Sequence, residues 1–346
     1  MNRRNFLMSL AALAGTPAWA GVTQPETAVR LAAAWQGGGG YQVGILEAGS
    51  SLTLKAALDV PTRAHGLLAE AAGTLLAVAR RPGDWLVRWD TTGRALAWRW
   101  IEPRRAFTGH VIADGEQVYT TETDLDSGAG LVGVRHGASL EKLDEWPTQG
   151  IDPHQLLWDA RQPGRILVAN GGVPSQPETG RRKRDLARMA SSIVCLDARS
   201  GAVLQTWRLT DPRLSLRHLA WQGQGAEAVL GIALQAEHDD PAERQVAPVL
   251  ALLAGDHLAA VPGPMLQGYG GSIASYPRGF AVSCPRAQGL ALFGPEGFDR
   301  FIGLDEACPL AIAGDRLLAG GRANLMLGPA RHALPDIRLD NHWVLL

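Results

Sequence analysis

Short runs of apolar residues, separated by polar turns, recur along this chain at near-constant intervals. Leu75 to Ala79, Val118 to Thr121, Ile166 to Ala169, Val229 to Ala233, Gly279 to Ser283 and Arg316 to Ala319 each read as a strand of four or five residues. A strand-like run opens the unit before each of them. Five of these openings begin with histidine: His65-Gly66-Leu67-Leu68, His110-Val111-Ile112-Ala113, His154-Gln155-Leu156-Leu157, His218-Leu219-Ala220-Trp221 and His342-Trp343-Val344-Leu345. The first two intervals are 45 and 44 residues, and the third is 64, lengthened by a polar insertion near residues 173–190. Gly270-Gly271-Ser272-Ile273 and Cys308-Pro309-Leu310-Ala311 keep the phase without histidine. A third and a fourth strand complete most units, as in Ile193 to Asp197 and Val203 to Leu209, joined by the turn Ala198-Arg199-Ser200-Gly201. Four short strands per roughly 45 residues is the period of a propeller blade.

The two ends predict how the ring closes. Val29 to Trp35, Tyr41 to Glu47 and Leu52 to Val60 are three strands with no opening strand before them, and His342 to Leu346 is one strand left over. Pairing the last strand with the first three completes a seventh blade and leaves no exposed sheet edge at the seam. The expected fold is an all-β, seven-bladed β-propeller over residues 21–346. Sustained helical periodicity is absent, which excludes a helical solenoid, and a β-sandwich needs no constant four-strand period.

Composition narrows the function. Lys+Arg is 33 and Asp+Glu is 34 in 346 residues, a net charge of −1. A general nucleic-acid binder needs a basic excess, so that class is set aside. The 41 glycines and 21 prolines suit many tight turns. Residues 1–20 read as a twin-arginine signal peptide. Arg3-Arg4 is followed by Phe6-Leu7, an apolar run to Ala14, and Ala18-Trp19-Ala20 before a cleavage point at Gly21. The expected location is the periplasm, with no membrane span in the mature protein. Cys195, Cys284 and Cys308 form no C-x-x-C pair, so no haem-attachment or zinc-knuckle pattern is present.

The first strand of each propeller blade lines the central channel, and the loop after the second strand returns to the same face. His65, His110, His154, His218 and His342 are therefore expected in a ring at one channel mouth, as ligands of a transition metal (Fe, Cu or Zn). Cys308 shares their phase in another blade. The ends of second strands add Arg80, Glu122, Asp124, Asn170, Glu237, His238, Asp239, Arg286 and Arg322. Of the neighbours, Glu122, Asp124, Asn170, Arg217 and Cys308 are the candidate rim groups and outer partners of the ring. A second reading stays open. Propellers of the WD type use a Gly-His pair for hydrogen bonds within the blade, and Gly109-His110 fits that device, although the accompanying Trp-Asp pair is missing. Arg181-Arg182-Lys183-Arg184 reads as a solvated loop or an anion contact, and Glu237-His238-Asp239-Asp240 as a polar turn.

Several stretches resemble one bacterial family. They are Gly109-His110, Tyr119-Thr120-Thr121-Glu122-Thr123-Asp124, Gly130-Leu131-Val132-Gly133-Val134, Glu145-Trp146-Pro147-Thr148-Gln149-Gly150-Ile151-Asp152-Pro153-His154, Val168-Ala169-Asn170-Gly171-Gly172-Val173 and Arg217-His218-Leu219-Ala220. The chain is similar to domain-of-unknown-function family 1513, exported proteins resembling β-propellers. Its members are often encoded beside imelysin-type iron-uptake proteins and di-haem peroxidase-like proteins. The resemblance implies an envelope role connected with iron uptake or homeostasis, with periplasmic iron-uptake proteins as partners. Gln149 stands where members commonly carry His, and Ser175-Gln176-Pro177-Glu178 replaces a Thr-His-Pro-Asp type of run, so two potential ligands are missing here. The expected function is metal or protein-partner binding. The alternative is a metal-dependent hydrolase or oxidoreductase at the channel mouth.

Overall fold

The computed structural model describes residues 28–49, 52–174, 186–334 and 336–346. The expected signal segment 1–20, the run Ser175–Glu178 and the basic run Arg181–Arg184 lie outside the described residues.

The described chain forms seven four-stranded antiparallel sheets. Blade 1 pairs the chain ends: β1 (Val29–Gly37), β2 (Gly40–Ala48) and β3 (Leu52–Val60) with β28 (Arg338–Leu345) on the inside, in the order β28-β1-β2-β3. Blades 2 to 7 then follow in chain order. Their innermost strands are β4 (Ala64–Ala69), β8 (Arg105–Ala113), β12 (Pro153–Trp158), β16 (Leu214–Gln222), β20 (Ser272–Tyr276) and β24 (Leu310–Ala313). Each innermost strand contacts the innermost strands of both neighbouring blades, and β24 contacts β28, so the seven form one closed cycle around the channel.

The seam is a true ladder. Leu31 pairs with Leu345, Ala32 with Val344 and Ala33 with Trp343, and the Leu346 amide donates to the Arg30 carbonyl. The closing strand begins at Arg338, four residues before the expected start at His342. The predicted second strands are present as β5 (Thr74–Ala79), β9 (Gln117–Asp124), β13 (Arg165–Asn170), β17 (Val229–Ala236), β21 (Gly279–Cys284) and β25 (Arg316–Gly320).

Both faces of every blade are covered, which explains why the strands are apolar at successive positions rather than strictly alternating. In β1, Leu31, Ala33 and Trp35 pack toward blade 7, while Ala32 and Ala34 pack toward blade 2. The core is accordingly divided into seven apolar clusters among the described residues, one between each pair of adjacent blades. Full burial of one Leu or Val contributes about 1.5–3 kcal/mol. Turns are closed by local acceptors: Asp197 Oδ1 accepts from the amides of Arg199 and Ser200, and Asp90 Oδ1 from those of Thr92 and Arg94. Among the described residues no helix is long and apolar enough to cross a membrane.

Candidate metal centre

A blade whose two faces pack on its neighbours has only its inner edge toward the channel. Side chains in regular alternation point at the neighbouring blades, so the strand must be distorted to turn one toward the axis. In all five blades that carry a phased histidine, the innermost strand slips register against the second strand at or beside that residue. The slips fall between Ala64 and Leu67, Phe107 and Val111, Pro153 and Leu156, Leu216 and His218, and Leu339 and Trp343. These are β-bulges, which insert residues and re-aim side chains. In blades 6 and 7 the same pairings, β20 with β21 and β24 with β25, run without a slip.

The bulges bring all five imidazoles together. Successive ring centroids are 4.6 Å apart for His342 and His65, 4.8 Å for His65 and His110, 5.0 Å for His110 and His154, and 4.4 Å for His154 and His218. His218 lies 4.6 Å from His342 and closes the loop across blades 6 and 7. Close approach at the axis needs glycine. Gly109 has φ +116°, and a Cβ there would stand 2.6 Å from Cδ2 of His65.

The rings make almost no hydrogen bonds. His154 Nε2 and His218 Nε2 share one, at 3.1 Å. Both nitrogens of His65, Nε2 of His110, Nδ1 of His154, Nδ1 of His218 and Nε2 of His342 are buried without a partner. None of the five bonds to its own blade, so the WD-type device does not account for them. A buried polar group left unpaired costs about 1–3 kcal/mol. Burial pushes the His65, His110, His154 and His218 pKa values well below the usual range, with neighbouring imidazoles or arginines adding to the shift. His342 is lowered to about 4 by burial, although Asp340 opposes the shift. The five rings are thus neutral near pH 7 and offer lone pairs, as a metal ligand must.

One donor atom from each of His65, His110, His218 and His342 lies within 4.8 Å of the other three. A tetrahedral ion with bonds of about 2.0–2.1 Å holds its ligand atoms about 3.3 Å apart, so modest ring rotations suffice. His154 stands beside this set, bonded to His218.

The other candidates are placed as follows. Arg217 is buried next to the ring, with Nη1 2.9 Å from Asp152 Oδ2. Asn170 is buried and donates to the Thr148 carbonyl and Ser192 Oγ. Glu122 is fully buried inside blade 3, bonded to Arg135 at 2.8 Å and Lys142 at 2.9 Å, so its carboxylate is occupied there. Asp124 accepts from the Asp126 and Ser127 amides in a turn and pairs with Arg105. Cys308 directs its thiol at the Gly271 carbonyl, 3.7 Å away, and burial raises it to about 12. His238 pairs with Asp211, Asp239 with Arg213, and Arg286 lies over the Tyr269 ring.

Four groups beside the ring were not singled out from the chain: Asp152, Asp340, Arg63 and Arg81. Asp152 is held by Arg81 and Arg217, and Asp340 by Arg63 in a two-pronged pair, with Arg80 4.0 Å away. A signal for the carboxylates exists in Asp152-Pro153-His154 and Asp340-Asn341-His342, the same Asp-x-His spacing in two units. A surface cleft of about 690 Å³, lined by Asp114, Tyr119, Trp158, Arg165 and Arg199 among others, includes none of the five histidines.

Comparison with known proteins agrees with this architecture. The model of the family described as "Protein of unknown function (DUF1513)" matches residues 58–346. No curated protein matches the chain. Among solved structures, hydrazine synthase of Kuenenia stuttgartiensis is similar with a TM-score of 0.63 at 12% identity, over 85% of this chain and 92% of that one. The Dos1 propeller is similar with a TM-score of 0.52 at 8% identity, over 88% and 83% respectively. At such identities the likeness is one of fold.

Proposed function

The chain belongs to the DUF1513 family, and for this member we propose a metal-binding role in the cell envelope. The protein is exported through the twin-arginine route and holds one transition-metal ion in the propeller channel. The observation that carries this reading is the closed loop of five imidazoles, four buried and that of His342 half-buried, each turned to the axis by a bulge and with a single hydrogen bond, His154 to His218, among them. His65, His110, His218 and His342 would hold the ion, and His154 would support His218 from the side. Neutral nitrogen donors without thiolate or carboxylate suit Zn, Cu or Fe better than hard ions such as Mg or Ca. The family resemblance points to iron uptake or homeostasis, with periplasmic iron-uptake proteins as partners.

A metal-dependent hydrolase or oxidoreductase is the second reading. It is favoured by the neutral imidazole nitrogens that lack a partner, a donor set that also holds catalytic ions.

The test is elemental analysis of protein recovered after native export. About one transition metal per chain is expected, and a chain carrying His110→Ala with His218→Ala is expected to lose it. Metal-free protein that also fails to rebind Zn2+ or Cu2+ overturns the reading. Changing both Arg3 and Arg4 to Lys is expected to keep the protein in the cytoplasm. Undiminished recovery from the periplasm would remove the twin-arginine part alone.

A further inference from the structure

His154 stands outside the set of four convergent donors, yet its strand is distorted like theirs. The register slips between Pro153 and Leu156, and the ring turned inward there is buried like those of His65, His110 and His218. A bulge re-aims a side chain at the expense of ladder bonds, which bracing a neighbour does not require. The five ring centres also describe a definite shape. Every pair stands within 6.1 Å except His154 with His342, which occupy opposite ends. Between them lie His65, His110 and His218, separated by 4.8, 5.4 and 6.1 Å. His154 is 4.4 to 5.4 Å from these three, and His342 is 4.6 to 5.1 Å from them.

This is a trigonal bipyramid with His154 and His342 at its apices. Five imidazole nitrogens about 2.0–2.1 Å from one ion would set ring centres about 4.5 Å apart between apex and equator, and about 5.5 Å apart within the equator. Both distances fall inside the observed ranges. We infer that all five imidazoles bind the ion, with His154 opposite His342, so that the channel holds a five-coordinate centre made of nitrogen alone. This inference rests on the metal-binding reading and makes His154 a ligand rather than a support.

The contact between His154 and His218 agrees. Their Nε2 atoms are 3.1 Å apart. Two nitrogens at adjacent positions of such an ion stand about 2.9 Å apart, so the pair is already at ligand spacing. Their hydrogen bond needs a proton on one Nε2. An ion takes that proton's place, and the ring keeps its proton on Nδ1, which has no partner in either residue. Zn2+, Cu2+ and Co2+ all accept imidazole donors, and zinc sites expand to five ligands. A hydrolytic ion keeps a position for water or substrate, whereas a bipyramid filled by protein has none. The inferred centre therefore fits holding an ion, handing it on or passing an electron, and opposes hydrolysis.

The experiment uses the full chain loaded with Co2+, whose visible absorption is several-fold stronger with four ligands than with five. Cobalt content is measured first, in the unmodified chain and in His154→Ala. The unmodified chain is expected to show the weaker five-coordinate spectrum, and His154→Ala the several-fold stronger four-coordinate one. Free imidazole added to His154→Ala is expected to restore the weaker spectrum by filling the vacated position. A different result follows if His218 binds through Nδ1 and His154 remains its hydrogen-bond partner. Both chains then show the same strong four-coordinate spectrum and imidazole leaves it unchanged, which overturns this inference alone. Absence of cobalt uptake by the unmodified chain overturns the metal-binding reading and this inference with it. His154→Gln replaces His154→Ala if the latter fails to fold, and a strong four-coordinate spectrum of the unmodified chain overturns the inference without any variant.

Discussion

Blades 1 to 5 and blades 6 and 7 share one architecture and differ at one place. In the first group the innermost strand bulges and turns an imidazole to the axis; in the second it runs in register. There Ile273 joins the apolar cluster between blades 5 and 6, and Leu310 the one between blades 6 and 7. A regular inner strand therefore serves packing alone. A bulge gives up ladder hydrogen bonds and local regularity, and in these five blades it leaves buried ring nitrogens without partners. Such features cluster where function rather than stability governs the residues. The difference separates a packing arc from a chemical arc on one ring.

Acid offers the largest way to break this contrast. The five rings of the chemical arc are neutral in the folded chain, and burial lowers each pKa. The unfolded chain protonates its histidines below about pH 6.5. It then binds more protons than the folded chain, so the stability of the metal-free protein is fully present above that pH. The loss proceeds as the pH falls from about 6.5 toward the folded values, about 4 for His342. The slope is about 1.4 kcal/mol per pH unit for each imidazole that only the unfolded chain protonates. Urea midpoints at pH 7.5 and 5.5 are expected to differ steeply, and equal midpoints would mean that the rings are not held neutral.

Backbone substitutions probe the bulge itself. Gly109→Ala places a Cβ at positive φ and within 2.6 Å of the His65 ring. Strain and crowding together cost about 3 kcal/mol. Gly271→Ala in regular blade 6 meets Pro285 at 2.9 Å and Cys308 at 3.2 Å, with no positive φ. Its cost is about 1–2 kcal/mol, from crowding alone. Urea unfolding of both variants checks the order; a Gly271→Ala cost equal to or above that of Gly109→Ala would mean the bulge carries no special constraint.

The side chains of the two arcs also predict opposite trade-offs. His65 is buried with neither ring nitrogen paired. His65→Leu removes that penalty, so the metal-free protein is expected to gain about 1–2 kcal/mol while metal affinity falls. The acid slope should fall by one proton's worth. A destabilised metal-free variant would assign His65 to packing instead.

The propeller was legible because its cause is local. Strand-length apolar runs, Gly-rich turns such as Ser200-Gly201 and a repeat near 45 residues are all written in one dimension, and three strands lacking an opener at one end with one strand left over at the other specified the seam. The histidine phase was legible for the same reason. The bulges were not, because a register slip belongs to two strands and shows in neither alone. Glu122 read as a rim group from its place at the end of a strand. Its direction is set by Arg135 and Lys142, on the third and fourth strands of the same blade. Arg63 and Arg81 gain their meaning only from Asp340 and Asp152, which are 277 and 71 residues away in the chain.

The smallest expected effect tests whether the packing arc takes any part in the chemistry. Cys308 holds the histidine phase in blade 7, and a thiolate there would be a strong ligand for Zn or Cu. Its surroundings argue otherwise. The thiol points at the Gly271 carbonyl, burial raises it to about 12, and its sulfur is absent from the convergent donor set. The thiol is protonated in the metal-free protein, so a metal would have to displace that proton, and no bulge turns it to the axis. Cys308→Ser keeps a small hydrogen-bond donor in place, so stability should change by less than about 1 kcal/mol. Metal affinity should stay within about twofold, a difference of roughly 0.4 kcal/mol. Competition with a chromophoric chelator measures it. A Cys308→Ser affinity loss comparable to that of a histidine variant would move blade 7 into the chemical arc and remove the division between bulged and regular blades.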